Sequence, residues 1–302
     1  MEIALLGTGG MLPLKNRFLT SCYIEHEGKA VLIDCGEGTQ VAAAKAQIKI
    51  SRINVILITH THADHITGLP GLLLSISNTD RTEPLDIYAP KTALNMIDAL
   101  LTIAGRLPFE VRVNTLDIKN ETSQQLKTID PMLELRSLPL KHTTVCLGYS
   151  LTLRHKRVFL PEKADELGVP LRERKTLHNG ESITVDGREI TPEMVTSDPR
   201  PPQKLTYVTD TLPIGQIAAF ADSSDLFICE GMYGDPEKKK SMNEKGHMLM
   251  QDACSLAVKA DVRELWLTHY SPAEPDPSVY KDKLRRIFPK VRISKDGRKT
   301  TL

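Results

Sequence analysis

A run of apolar residues that ends in three histidines and an aspartate constrains this chain more than any other feature. Residues 55–58 are aliphatic, and His60, His62, Asp64 and His65 follow closely. Side chains two positions apart on an extended segment point to the same side, so His60 and His62 can converge on one cation. If a helix follows, Asp64 and His65 leave from its first turn and can reach a second cation. The spacing therefore predicts a dinuclear metal site.

The ligand types in this cluster indicate which metal it suits, and the cysteines indicate that thiolates are not among its ligands. Imidazole and carboxylate ligands together suit zinc, with manganese or iron as alternatives. The five cysteines are odd in number, scattered and without any Cys-x-x-Cys spacing. They predict buried thiols rather than a disulfide framework or a thiolate zinc site.

Length and composition predict a globular, cytoplasmic protein. The 302 residues are 40% hydrophobic and 25% charged, which is enough for one large core or two fused halves. No apolar stretch approaches the roughly 20 residues that span a bilayer, and the first residues lack a basic region and a long apolar segment, so we expect no membrane association. The formal net charge of +1 gives no global attraction to nucleic acid. Any RNA-binding surface must therefore be a local patch.

The order of predicted elements favours an α/β fold. Strands are predicted at residues 3–6 and 85–89, a helix at 92–104, and a strand followed by a polar turn in the tail, 290–302. The first strand runs into a glycine cluster, residues 7–10, which allows close backbone approach. We reject a dinucleotide-binding loop there, because the fingerprint is incomplete and no helix follows at once.

Polar residues recur where predicted strands end. His142, Asp210, Glu230 and His269 each follow an apolar run downstream of the histidine cluster. Because sites in α/β proteins form where strand ends meet, we expect these four side chains to converge with the cluster. Asp34 also ends a strand, and it is either a turn residue or a partner that orients a ligand histidine.

These motifs resemble the metallo-β-lactamase fold and, within it, the short-form ribonuclease Z family, whose members trim 3′ trailers from precursor tRNA. The resemblance implies a four-layer αβ/βα sandwich of two packed mixed β-sheets with flanking helices, formed by one domain over residues 1–302. It covers nearly the whole chain and rests on residues 6–10, 34–40, 59–65, 68–73, 142, 209–211, 229–230, 246–247 and 267–271.

The resemblance also implies the ligand set of a two-zinc site. Two cations about 3.5–4 Å apart activate a shared water and hold both oxygens of an in-line phosphodiester displacement. One zinc would be held by His60, His62 and His142, the other by Asp64, His65 and His269, with Asp210 bridging the two.

Three residues would then carry proton transfer. Asp64 lies beside the attacking water and can take its proton. The leaving group is a 3′ oxygen, which departs poorly as an alkoxide. His247, oriented and kept charged by Glu230, resembles the family's proton-donating pair.

The substrate-binding predictions are less specific. The resemblance implies that residues 153–204 form an inserted arm that grips precursor tRNA, and that the protein is a homodimer. In this arm Arg172, Arg174 and Lys175 are candidates for phosphate contact, although short charged runs are most often solvated surface. The same applies to the lysines at 238–240. His26, His155 and His178 match no ligand position.

Departures from the family leave the substrate open. The segment Cys229-Glu230-Gly231-Met232 keeps the glutamate but lacks the family's preceding histidine. We therefore retain two alternatives to tRNA processing, which are a phosphodiesterase acting on small or cyclic diesters and a non-catalytic metal-binding relative that interacts with RNA. The last is the weakest, because every putative ligand is present.

Overall fold

The computed structural model describes residues 1–116, 132–155 and 157–302, together with the backbone of residues 124–126. The chain divides into two compact units, one of Met1–Thr152 with Gln203–Leu302 and one of Leu153–Pro202. No helix among the described residues is long and apolar enough to cross a membrane.

The described strands and helices follow one another with short connections. The strands are β1 (Glu2–Gly7), β2 (Ser21–His26), β3 (Lys29–Ile33), β4 (Ile53–Leu57), β5 (Leu85–Pro90), β6 (Val111–Leu116), β7 (Gln124–Leu126), β8 (Leu133–Lys141), β9 (Val145–Leu153), β10 (Ile183–Val185), β11 (Arg188–Ile190), β12 (Gln203–Val208), β13 (Leu226–Glu230), β14 (Leu265–Thr268), β15 (Val291–Ile293) and β16 (Arg298–Thr301). The helices are α1 (Thr39–Lys45), α2 (Ala63–Ile66), α3 (Leu69–Ser77), α4 (Leu94–Ala104), α5 (Pro161–Glu166), α6 (Arg174–His178), α7 (Gln216–Ala221), α8 (Lys239–Glu244), α9 (Met250–Lys259) and α10 (Lys281–Ile287).

The larger unit contains two mixed sheets. In the first, with strand order β16-β1-β2-β3-β4-β5-β6, neighbours from β16 to β3 are antiparallel and those from β3 to β6 are parallel. In the second, with order β15-β14-β13-β12-β9-β8-β7, neighbours from β12 to β15 are parallel. Parallel strands end at a common edge of their sheet, so residues that follow them are brought together.

Apolar helices pack against each sheet. The helix α3 places Leu69, Leu72, Leu73 and Ile76 at a spacing of three and four, and this apolar stripe shares a core cluster with the first sheet. The helices α7, α9 and α10 do the same for the second sheet. The hydroxyl of Tyr149, on β9, donates a hydrogen bond of 2.7 Å to the carbonyl oxygen of Ile58, after β4. This architecture confirms the predicted α/β fold of two mixed sheets with flanking helices.

The smaller unit has a core of its own. It contains α5, α6 and the hairpin β10–β11. Its buried apolar residues are Ala164, Val169, Leu177, Ile190 and Val195. Lys156, which the sequence places in the predicted arm, lies outside the described residues.

Candidate metal centre

The histidine cluster lies at the end of β4. His62 is extended, with φ −65° and ψ 147°, and α2 begins at the next residue. Asp64 and His65 therefore leave from the first turn of a helix, as the spacing predicted. Asp64 and His65 are buried, whereas His62 is exposed.

A first group of ligand atoms surrounds the extended part of the cluster. His62 Nδ1 lies 3.0 Å from His60 Nε2 and 3.2 Å from His142 Nε2. Asp210 Oδ1 lies 3.9 Å from His60 Nε2 and 3.8 Å from His142 Nε2. Three imidazoles and one carboxylate oxygen thus face a common point.

A second group forms around α2. His65 Nε2 lies 3.2 Å from His269 Nε2, and Asp64 Oδ2 lies 3.5 and 3.3 Å from these two nitrogens. Asp210 Oδ2 lies 3.2 Å from His65 Nε2 and 3.3 Å from His269 Nε2. The two oxygens of Asp210 therefore face different groups, which is the geometry of a bridging carboxylate.

The backbone turns sharply where the strands deliver these residues. Asp34, Asp210 and His269, which follow β3, β12 and β14, have φ of 59°, 52° and 57°. This left-handed conformation is uncommon outside glycine, although Asp, Asn and His adopt it more readily than most residues. At each of these turns the backbone leaves the strand direction, and the side chain points toward the site.

Asp34 braces both groups from behind. Its carboxylate accepts hydrogen bonds from His65 Nδ1 (2.7 Å), the Thr59 backbone N–H (2.8 Å) and the Thr59 hydroxyl (2.8 Å). Because the Thr59 hydroxyl donates to Asp34, it is left to accept from His60 Nδ1 at 3.0 Å. One buried carboxylate thus orients His65 directly and His60 through Thr59.

These outer contacts determine which nitrogens face the site. The Nδ1 atoms of His60 and His65 donate outward, and His142 Nδ1 donates to the Gly246 carbonyl oxygen at 2.9 Å. Each of these three rings then presents an unprotonated Nε2 when it is neutral. Lone pairs that face one another at about 3 Å repel unless a cation lies between them, so the donor set fits bound metal.

The pKa shifts of the buried groups also indicate a site suited to positive charge. Burial lowers the pKa of His60 well below its usual range, and that of His62 and His142 less strongly. Burial opposes ionisation of Asp210, but the facing rings of His269 and His65 hold its pKa well below the usual range. In His65 the effect of burial is outweighed by Asp210 and Asp34, which raise its pKa well above normal. The second group therefore attracts a positive charge.

Glycines allow the closest approaches. A Cβ on Gly10 would lie 2.5 Å from the His269 ring, and one on Gly246, where φ is 71°, would lie 2.9 Å from His142 Nδ1. Next to Gly10, the backbone N–H of Met11 donates to Asp64 Oδ2 at 2.6 Å. The glycine cluster after β1 therefore serves the metal centre.

His247 and Glu230 form a buried pair at the edge of the first group. His247 Nδ1 lies 2.9 Å from Glu230 Oε2 and 3.7 Å from Asp210 Oδ1. The other Glu230 oxygen accepts the backbone N–H of Thr211 at 2.6 Å, which orients the carboxylate. Burial alone would lower the pKa of His247, but the Glu230 carboxylate outweighs it and raises that pKa to about 9.

The predicted substrate-binding residues belong to the smaller unit. Arg172 and Lys175 are exposed on the smaller unit, whereas the guanidinium of Arg174 pairs with Asp165 and donates to the Val169 carbonyl oxygen. Sequence reasoning assigned no role to Thr59, Met11 and Gly246, although Thr59 and Gly246 lie within the recognised motifs. Thr59 directly precedes the cluster, and its hydroxyl is a recognisable hydrogen-bonding group. Met11 and Gly246 act through backbone atoms, which the sequence does not reveal.

The five cysteines are free and buried, which confirms their prediction as buried thiols. Cys146 lies near the centre, with Sγ 3.8 Å from His60 Nδ1, and burial raises its thiol pKa well above the usual range. A neutral thiol of this kind packs against the ring and is not a ligand.

Known proteins similar to this chain share its architecture. Ribonuclease Z of Lachnospira eligens is 44% identical over 302 residues, which cover 100% of this chain and 98% of that protein. Human tRNase Z, short form, superposes with a TM-score of 0.70 at 24% identity, over 100% of this chain and 99% of that one. The metallo-β-lactamase fold protein YhfI from Bacillus subtilis has a TM-score of 0.70 at 17% identity, over 99% and 98%.

A family model described as Anti-Pycsar protein Apyc1 matches residues 1–164. This segment includes the histidine cluster and His142 but ends before Asp210.

The two sheets have the metallo-β-lactamase fold, and relatives named ribonuclease Z together with the converging donors define a metal-dependent hydrolase. Relatives named ribonuclease Z are 37–44% identical to this chain over nearly its whole length. The chain therefore belongs to the ribonuclease Z family, and its first 164 residues belong to the family described as Anti-Pycsar protein Apyc1. The predicted family is confirmed.

Proposed function

We propose that this protein is an endoribonuclease that removes 3′ trailers from precursor tRNA. The observation that carries the proposal is the His247–Glu230 pair, with His247 Nδ1 3.7 Å from Asp210 Oδ1, at the edge of the first donor group. Cleavage of RNA to leave a 3′ hydroxyl expels a poor leaving group, which needs a proton. The full-length relatives named ribonuclease Z support RNA as the substrate.

The proposed cofactor is a pair of divalent cations, zinc first, with manganese or iron also suited to these donors. When bound, the ions would lower the pKa of a shared water and neutralise charge on the phosphodiester oxygens. The first would be held by His60, His62, His142 and Asp210, the second by Asp64, His65, His269 and Asp210.

The chain's own residues would move the protons. The neighbouring rings of His269 and His65 outweigh burial and hold the pKa of Asp64 well below its usual range, so its carboxylate is ionised at neutral pH and can accept the proton of the water. Met11 N–H holds Asp64 Oδ2 in place. On the other side, His247 is protonated at neutral pH and donates to the leaving 3′ oxygen.

End-labelled precursor tRNA tests this function. We expect the protein, loaded with zinc or manganese, to release the trailer just after the discriminator nucleotide, and a chelator to abolish cleavage. His247→Ala should slow this reaction far more than hydrolysis of an activated aryl diester, which needs no proton donor. If only the aryl diester is hydrolysed, the protein is a small-diester phosphodiesterase. If neither substrate reacts, the non-catalytic alternative stands.

The smaller unit is proposed as the arm that grips tRNA, within the predicted residues 153–204. Arg172 and Lys175 would contact phosphates, since both are exposed. Arg174 would instead position the segment, because Asp165 and the Val169 carbonyl oxygen already engage its guanidinium. Replacing Arg172 and Lys175 by glutamine should raise KM for precursor tRNA without changing aryl diester hydrolysis, whereas an unchanged KM would remove them from the proposed grip.

We also propose a homodimer in the cytoplasm. Five buried thiols without a disulfide suit a reducing compartment. Three apolar side chains on α3 and α4, namely Leu74, Met96 and Ile103, are 43%, 42% and 69% exposed. A second copy of the chain could cover them. Light scattering should then give twice the mass of one chain, and Ile103→Asp should yield monomers. A wild-type monomer would contradict the dimer.

A further inference from the structure

Helix α8 borders the metal centre. Its last turn leads into Gly246 and His247, and the His247 backbone N–H donates to the Met242 carbonyl oxygen at 2.9 Å. The Gly246 carbonyl oxygen accepts the hydrogen bond from His142 Nδ1. Met242 packs with Met232 and Leu249 in a small buried cluster that anchors the helix. The position of α8 is thus tied to both His142 and His247.

The helix also lies on the open side of the centre. Among the proposed metal-binding residues, His62 is exposed and His142 is half-buried, whereas the others are buried. Gly246, at the end of α8, touches His142. A substrate that approaches the exposed rings therefore passes beside α8.

The charge on α8 is unusual for a short helix. Lys238, Lys240 and Lys245 are exposed, and within the described part of the chain none of them pairs with a carboxylate. Lys239, in contrast, pairs with Asp252 at 3.1 Å. The first turn carries lysines and no acidic residue, although acidic side chains would stabilise that turn better. The lysines in this first turn therefore do not contribute to helix stability.

We propose that Lys238, Lys240 and Lys245 bind the backbone phosphates of the RNA that flank the scissile bond. The inference rests on the proposed function, because it needs a polyanionic substrate larger than one diester. Each phosphate contact made by a lysine releases condensed counterions, so these contacts contribute affinity that falls as salt concentration rises. They read no sequence, which suits an enzyme that meets many different RNA ends.

The test compares two triple variants with the same change in net charge. The first is Lys238→Gln, Lys240→Gln and Lys245→Gln. The control is Lys49→Gln, Lys259→Gln and Lys290→Gln, three exposed lysines that precede β4, end α9 and precede β15. The control lysines lie toward the opposite strand ends from the metal centre. KM for precursor tRNA is measured between about 50 and 200 mM salt, the range in which phosphate contacts weaken steeply.

For the α8 variant we expect KM to rise at least about tenfold and the slope of log KM against log salt to fall by about 3, close to one unit per lost phosphate contact. Lys245→Gln alone should lower the slope by about 1. Hydrolysis of an aryl diester should stay at the wild-type rate, which also shows that the variant is folded. Equal KM values and slopes for the two triple variants would overturn the inference while the proposed function stands. If the wild type does not cleave precursor tRNA, the proposed function fails and the inference fails with it.

Discussion

The two donor groups of the metal centre differ in how the protein encloses them. In the first group His62 is exposed and His142 is half-buried, whereas Asp64, His65 and His269 in the second are buried. Asp34 contacts His65 of the second group directly, and the Met11 N–H and Gly10 approach that group closely, whereas Asp34 reaches His60 of the first group only through Thr59.

The two groups therefore suit different tasks of a dinuclear site, which are holding metal tightly and admitting water and substrate. A rigid, buried set of ligands holds a cation tightly because little reorganisation is needed on binding. A half-exposed set leaves room for water and substrate. We therefore expect a chelator to remove metal from the first group before the second.

The largest effect should come from the residue that the two groups share. Asp210→Ala removes one oxygen from each group, so we expect cleavage to become undetectable and both metal equivalents to be lost. His62→Ala should lose only one equivalent. Metal content is measured by elemental analysis after gel filtration. The control is Asp261→Ala, another aspartate with positive φ (45°), which is exposed and should keep both metals. Loss of a single equivalent in Asp210→Ala would contradict the bridging geometry.

A smaller loss of metal affinity should follow from changing the residues that hydrogen-bond to the ligand histidines. Asp34→Asn should weaken metal binding roughly 10–100-fold, as for other partners of ligand histidines, and should affect both groups. The Thr59 hydroxyl lies 3.0 Å from His60 Nδ1 and farther, 3.4 Å, from His65 Nδ1, so the loss of affinity in Thr59→Ala should fall mainly on the first group. Competition with a chromogenic chelator measures both affinities. Thr59→Ser keeps the hydroxyl and should bind metal like the wild type, and if it fails as Thr59→Ala does, the relay through Thr59 is wrong.

The smallest expected effect is a shift in the pH dependence of cleavage. His247 must be protonated to donate, and its pKa is about 9, so cleavage of precursor tRNA should persist below that pH and fall as pH rises through it. Glu230→Gln removes the carboxylate that raises this pKa, so the falling limb should move to lower pH. Aryl diester hydrolysis needs no donor and should lack this limb. A pH profile of kcat that is identical in wild type and Glu230→Gln would contradict the proton-donor role.

Sequence patterns were sufficient to bring the seven proposed ligands together, because each lies in the cluster or follows a strand. Asp210 and His269 follow β12 and β14, which belong to one run of parallel strands, so for this pair order along the chain translates into proximity. The contacts made by Met11 and Gly246 were not predictable in this way. They involve backbone atoms of segments distant in sequence, and a backbone group carries no residue-type signal.

The chain's tail shows the same limit in the fold. A strand followed by a polar turn was predicted there, and β15 and the turn before β16 agree. However, β16 itself pairs with β1 and was missed. Its residues Arg298–Thr301 alternate between exposed and half-buried, as on an edge strand, and include no aliphatic side chain that would mark a strand.

The left-handed turns at Asp210 and His269 have a practical use. Asparagine adopts this backbone conformation readily, so Asp210→Asn and His269→Asn together would remove a carboxylate and an imidazole without distorting the strand ends. The result would be a folded but inert protein whose surface is unchanged. Such a variant could hold an uncut RNA long enough for the complex to be crystallised or imaged.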